Sequence, residues 1–520
     1  MILGQVIERN ARLYPAHPAL LFEGRTITHG ELASRVNKLI NALVARGIGR
    51  QARLAVLSQN CPEYLEIFGA AGLGGFIGVG INYRLSAPEQ ADILRDCKPE
   101  VFIFDAAFAE RAAELRAALP AGVLMLGIGA ADAWGAWAEG YEALLLGAID
   151  APPALRAKET DTLLLSYTSG TTGRAKGVML GNEAQLEQAR ILALAHCARQ
   201  DDRMLIVMPF YHIGGTTEIL TYYIVGATIV LHRVFDAAAV LRSIQTHRVS
   251  AAHLAPTMIQ MMLDEQQASP VDVSSLHTVC YASAPMSIAQ SRQARAVFGP
   301  IFMQVYGMTE FGPASVLFKH QHLPEGSVKE AGRLASAGQP FLGTDIKMLR
   351  EDGSECGIGE IGEICMHSPV IMQGYWNNPE ATKQAIGDGW MHSGDLGYFD
   401  DEGYLFVVDR KKDMIISGGE NIYSREVEET LMLHPAVLEA SVIGVPDEKW
   451  GESVKALVAL RPGMHATAAE LIEHCKASIA SYKKPKSIDI LPVLPRISST
   501  NKIDKKKLRE PFWAGRDRKV

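Results

Sequence analysis

The densest chemistry in the sequence lies between Ser166 and Gly177. The ten positions from Thr168 to Gly177 hold four hydroxyls (Thr168, Ser169, Thr171, Thr172), three glycines (Gly170, Gly173, Gly177) and two cations (Arg174, Lys176). Glycine lets a backbone turn sharply and bring its N–H groups up to a ligand. Hydroxyls donate to anionic oxygens, and Lys176 adds a point charge. Together these groups read as a cradle for phosphate. It is not the P-loop of the NTPases, because Ala175 precedes Lys176 and Gly177 follows it, where that motif needs Gly-Lys-Ser/Thr. A flexible Gly/Ser/Thr turn is the competing reading. The density of donors favours phosphate, but the loop alone names no reaction.

The elements around the loop set its frame. The apolar run 162–165 reads as a short buried strand leading into it. Upstream, Thr28 and Glu31 fit a capping box that opens a helix with Gly47 as its C′ residue. Strands over 54–57, 76–79 and 101–104 alternate with helices from about 62 and over 88–97, and 106–153 reads as peripheral helices and a linker. After the loop the alternation repeats, with strands over 204–208, 228–231 and 251–254 and a helix over 237–246. That pattern predicts an α/β fold, two αβ layers side by side in a large domain. From about 338 the chain turns β-rich, with hairpin-like turns at Asp352-Gly353 and Glu402-Gly403. After Arg410-Lys411-Lys412-Asp413 a small α+β unit follows. The expected domains are 1–411 and 412–520.

Bulk properties exclude several classes. A chain of 520 residues is too long for one core. The net charge of -7 removes any global attraction to nucleic acid. The seven cysteines are scattered, with no CxxC pair, so neither a zinc site nor a disulfide framework is indicated. The stretch 67–81 is apolar but too short and glycine-rich to span a bilayer, and reads as a buried helix–strand pair. The N-terminus carries charge too early for a signal peptide. The expectation is a cytoplasmic protein with no integral membrane association.

Separate motifs then fall into a familiar order: Tyr167 to Gly177, Pro209-Phe210-Tyr211-His212, Tyr306-Gly307-Met308-Thr309-Glu310, Gly394-Asp395, Asp409 to Asp413, Ser417 to Asn421, and Thr500-Asn501-Lys502-Ile503. This series closely resembles the adenylate-forming superfamily of acyl-CoA synthetases, peptide-synthetase adenylation domains and firefly luciferase, over nearly the whole chain. The resemblance implies two half-reactions. A carboxylate attacks the α-phosphate of ATP to give an acyl-adenylate and pyrophosphate, and a thiol, usually of CoA, displaces AMP. It implies that Thr168, Ser169, Gly170, Thr171, Thr172 and Lys176 hold the β- and γ-phosphates. Glu310 would ligate Mg²⁺ and Thr309 would touch the α-phosphate. Asp395 would bind the ribose hydroxyls, with Arg410 beside it, and Ser283, Ala284, Pro285, Tyr306 and Gly307 would flank the adenine. Lys502 would bridge the carboxylate and the α-phosphate, offsetting the repulsion of two anions. Asn501, in place of the usual glycine before it, tolerates the left-handed conformation. Lys412 marks the hinge of a small mobile domain, and Ser417, Gly418 and Gly419 the loop that admits the pantetheine arm of CoA.

The same resemblance places the acyl pocket at His212, Gly214, Thr216, Glu218 and Ala282. His212 would lie beside the acyl carboxylate. Thr216 stands where some long-chain enzymes carry a gating tryptophan, and Ala282 replaces a common glycine and narrows the pocket. Glu218 either faces away and is paired, or accepts a hydrogen bond from a substrate hydroxyl. No Asp follows the second motif as in amino-acid-activating domains, so a fatty or arylalkenoic acid is expected. Two alternatives stay open: an enzyme that loads a protein thiol, and a non-catalytic adenylate binder, which the intact Lys176, Glu310, Asp395 and Lys502 argue against. The resemblance also allows a homodimer.

Overall fold

The structure, a computed structural model, describes residues 2–168, 175–282, 286–497 and 502–514. It divides into two units, Met1–Ile346 with Met366–Met391, and Lys347–Cys365 with His392–Val520.

The first unit holds two sheets. In the eight-stranded sheet, Thr162–Thr168 lies between Ile77–Gly80, to which it runs parallel, and Lys176–Gly181, to which it runs antiparallel. The strands Arg53–Leu57, Val101–Asp105 and Leu124–Ile128 extend the parallel part. Buried on both faces, such strands read as near-continuous apolar runs, as Leu54 to Leu57 and Val101 to Phe104 do. The nine-stranded sheet is parallel through Arg203–Ile206, Thr228–Leu231, Ala251–Leu254, Thr278–Ala282 and Phe302–Met308, and turns antiparallel at Gly312–Leu317. Its core packs Leu205, Val230 and Val279 against Leu241, Ile244 and Met262. Each fully buried side chain of this size contributes about 1.5–3 kcal/mol. Two αβ layered sheets are thus present.

Local signals explain most element ends. Thr28 caps the helix His29–Ala45 in a complete capping box, and Pro62 starts Pro62–Gly74 at a position where its missing N–H costs nothing. Around 106–153 the outcome differs from the expectation. Besides short helices, Leu124–Ile128 and Glu139–Gly140 extend the sheet edge. Edge pairing needs only one apolar face, so those strands carry little pattern.

In the second unit, Gly451–Leu460 is the spine, paired antiparallel with Val437–Asp447 and parallel with Ser487–Ile490. Helices Ser424–Met432 and Ala468–Ser478 bury Val427, Leu431, Leu471 and Cys475 against it. The strand Leu405–Arg410 pairs antiparallel with residues 395–399.

Candidate active site

In the first unit, the hairpin that carries the phosphate-loop motif is paired up to Thr168 and Lys176, which face each other in register. Ser169, Gly170, Thr171 and Thr172 lie outside the described residues, as do Ser283, Ala284 and Pro285. A second hairpin, Phe302–Met308 with Gly312–Leu317, carries Thr309 and Glu310 at its tip. The tip is tight. A Cβ on Gly307 would come within 2.1 Å of the Gly312 carbonyl oxygen, so only glycine fits there. Thr309 and Glu310 are both buried.

One side chain joins the two hairpins. The Tyr375 hydroxyl donates to Glu310 Oε1 at 3.0 Å, and Lys176 Nζ lies 4.9 Å from the centre of the Tyr375 ring. Burial, and then the Glu310 carboxylate, hold the Tyr375 phenol protonated far above its ordinary range. No chemical signal in the sequence marks Tyr375. It sits in Gly374-Tyr375-Trp376-Asn377-Asn378-Pro379, which reads only as the approach to a helix. Tyr167 is fixed nearby, its hydroxyl donating to Asp96 Oδ2 at 2.6 Å.

His212 is the N-cap of the helix Ile213–Tyr223, and its Nδ1 accepts from the Gly214 N–H at 3.1 Å. The accepting nitrogen cannot carry a proton, so in the neutral ring the proton is on Nε2. His212 and Thr216 line a small pocket whose other walls include Phe68, Leu164, Phe210 and Ile213. Gly80 lets the chain at Tyr211 pack close beside it: a Cβ there would lie 2.6 Å from Tyr211 Cα.

Glu218 is in a different setting. Its carboxylate is buried 3.5 Å from His253 Nδ1 and 3.8 Å from His196 Nδ1. Donor atoms of His196, Glu218 and Cys280 all fall within 4.8 Å of one another. Burial raises the Glu218 carboxyl to about 8 and lowers His196 to about 3 and His253 to about 4. Burial thus favours the uncharged form of all three. Among the described residues Glu218 Oε2, His196 Nε2 and His253 Nδ1 have no hydrogen-bond partner. The sequence singled out Glu218 but not these partners, which come from three other elements.

The second unit gathers Asp395, Arg410, Lys412 and Lys502. Asp395 stands opposite Arg410 in register, with Arg410 Nε 3.7 Å from Asp395 Oδ1. Lys502 is exposed by area, yet its charged group lies among enough protein atoms that burial, foremost, and the Arg410 cation push its pKa down, while Asp395 pulls it up. Lys412 is likewise lowered, by burial and then Arg410. Gly418 and Gly419, with φ of +63° and +88°, form the two-residue turn between Ile415–Ser417 and Glu420–Ile422. Both central residues in the left-handed region is the type I′ arrangement, which glycine pairs adopt without strain.

Residues 7–376 match the AMP-binding enzyme family, and residues 426–501 match the AMP-binding enzyme C-terminal domain. The chain belongs to this family of adenylate-forming enzymes. It is 37% identical to a feruloyl-CoA synthase of an Amycolatopsis species, over 98% of this chain and 99% of that one. It is 34% identical to a fatty acid–[acyl-carrier-protein] ligase of Streptomyces coeruleorubidus, over 100% of this chain and 98% of that one. The o-succinylbenzoate CoA synthetase of Bacillus subtilis, solved with its acyl-adenylate intermediate, matches with a TM-score of 0.85 and 32% identity over 97% of each chain. Among the described residues no helix is long and apolar enough to cross a membrane.

Proposed function

We infer that the chain is an AMP-forming acid–thiol ligase that activates a carboxylic acid with ATP as an acyl-adenylate and then transfers the acyl group to CoA. One observation carries the reading toward phosphate chemistry: a buried carboxylate, Glu310, and a loop lysine, Lys176, are held on either side of Tyr375. The Glu310 carboxylate and the Thr309 hydroxyl are hard oxygen donors, a set that suits Mg²⁺. When bound, that ion would neutralise charge on the ATP phosphates.

The chain's own groups divide the remaining work. Thr168 and Lys176, with Ser169, Gly170, Thr171 and Thr172, hold the β- and γ-phosphates and stabilise the departing pyrophosphate. Asp395 accepts from the ribose hydroxyls, Arg410 flanks it, and Tyr306, Gly307, Ser283, Ala284 and Pro285 border the adenine. Lys502 places an ammonium between two anions that must approach each other. His212, with its proton on Nε2, donates toward the acid carboxylate, and the small pocket beside it, walled in part by Phe68, Leu164 and Ile213, marks where a fatty or arylalkenoic tail enters. Domains at 1–411 and 412–520, a hinge at Lys412 and a CoA loop at Ser417, Gly418 and Gly419 complete the reading, in a cytoplasmic enzyme that forms a homodimer.

A panel of acids assayed with ATP, Mg²⁺ and CoA tests the reading, with AMP and pyrophosphate as the expected products. ADP and phosphate instead would overturn it. Glu218 is the candidate reader of a substrate hydroxyl. Under that role Glu218→Gln changes kcat/KM for hydroxylated acids relative to plain ones, and an unchanged ratio removes it. The similarity to an acyl-carrier-protein ligase favours a second reading in which a protein thiol replaces CoA, and acid-dependent consumption of CoA decides between the two.

A further inference from the structure

The segment Met372–Tyr375 touches both hairpins that carry the phosphate-binding and metal-binding candidates. The Met372 N–H donates to the Glu310 carbonyl at 2.8 Å. Two and three residues on, Gly374 and Tyr375 pair antiparallel with Met179 and Val178 of the strand that begins at Lys176. Side chains alternate faces along a strand, so Lys176 and Val178 share a face, and Lys176 is the diagonal neighbour of Tyr375. The ring contact at 4.9 Å follows from that register. The hydroxyl of the same ring reaches Glu310 Oε1. The helix Pro379–Ala385 behind it locks the segment, with the Tyr375 N–H donating to Thr382 Oγ1 at 2.9 Å. The hairpin at Glu310 belongs to the nine-stranded sheet and the strand at Lys176 to the eight-stranded one.

We propose that Tyr375 is a positioning residue that sets the distance and orientation between the Glu310 carboxylate and the Lys176 ammonium, so that one residue tunes how the chain receives the metal-complexed triphosphate. The hydroxyl fixes the plane of the Glu310 carboxylate, and the ring face holds the lysine head group beside it. This rests on the adenylating role proposed above for Lys176 and Glu310. A phenol hydrogen bond to a carboxylate is charge-assisted and stronger than a neutral one, so its loss falls mainly on the Glu310 side.

The test uses the full chain with ATP and Mg²⁺. Tyr375→Phe keeps the ring and the strand pairing and removes only the hydroxyl. It is expected to raise the Mg²⁺ concentration for half-maximal ATP binding, read by calorimetry, about tenfold. ATP binding in chelator, and KM for the acid, stay at the wild-type values. Tyr375→Leu, which also removes the ring, weakens ATP binding in chelator as well. The proposal is overturned if Tyr375→Phe leaves the Mg²⁺ dependence within twofold of wild type, or if both variants lower Mg²⁺ dependence, chelator binding and Tm together, as a loss of packing would. Wild-type protein that shows no acid-dependent ATP–pyrophosphate exchange would instead defeat the adenylating reading itself.

Discussion

Two clusters in the first unit each hold a buried glutamate and differ in what surrounds it. Around Tyr375, a lysine and a glutamate from two hairpins share one aromatic side chain that contacts both. Around Glu218, a carboxylate, two histidines and a thiol come together in the core, and burial drives each titratable group toward its neutral form. An isolated charge inside a protein costs so much that the group gives up its ionisation instead. Under the proposed function the first cluster meets a charged ligand. The second is arranged to carry no charge at pH 7. The glutamate alone does not distinguish them; the side chains set around it do.

Breaking the two clusters should therefore have opposite signatures. The largest effect is expected at the charged groups. Glu310→Gln should cut acid-dependent ATP–pyrophosphate exchange by roughly 10²–10³-fold, the scale of losing one group that stabilises transition-state charge, with Tm nearly unchanged. Lys502→Ala should slow adenylation, raising its barrier by about 2.7–4 kcal/mol. It should leave thioester formation from preformed acyl-adenylate largely intact, and equal loss in both half-reactions would contradict a role confined to the first.

Substitution in the neutral cluster should act on stability. Glu218→Ala empties a fully buried site, and such truncations cost about 2–5 kcal/mol. Calorimetry should show a clear fall in Tm, with exchange on unsubstituted acids reduced far less than in Glu310→Gln. A Glu218→Ala variant that keeps its Tm but loses exchange would erase the contrast.

The same cluster also predicts a pH slope. Glu218 has a folded pKa of about 8, raised from 4.5. Its contribution to stability is fully present below the unfolded value and is lost as pH rises through 8. His196 and His253, lowered to about 3 and about 4 from 6.5, contribute the reverse: full stability above 6.5, lost as pH falls through 4 and 3. Glu218→Gln removes only the first slope. Tm measured from pH 5 to pH 8.5 should therefore shift in favour of the Gln variant as pH rises. A difference that does not change with pH would mean Glu218 is ionised in the folded protein.

How much was legible beforehand follows the same division. The α/β alternation, the capping box at Thr28 and the helix starting at Pro62 were readable because each is a local pattern of a few residues. The strands Thr278–Ala282 and Leu124–Ile128 were not, since short apolar runs beside alanine-rich sequence have no distinct period. Lys176, Glu310, Asp395 and Lys502 stood out by type and context. Tyr375 did not, because its importance arises from strand register between segments far apart in the chain. Glu218 looked unusual in sequence, but its neutrality is set by burial, at a point in the core where His196, His253 and Cys280 arrive from three other elements.

The most direct measurement of the proposed chemistry is exchange of labelled pyrophosphate into ATP, with Mg²⁺ and a candidate acid present and every thiol omitted. Exchange that requires the acid, needs no CoA and disappears in Glu310→Gln is the expected result. Exchange without any acid, or no exchange with any acid of the panel that is nevertheless converted to thioester, would contradict an acyl-adenylate intermediate.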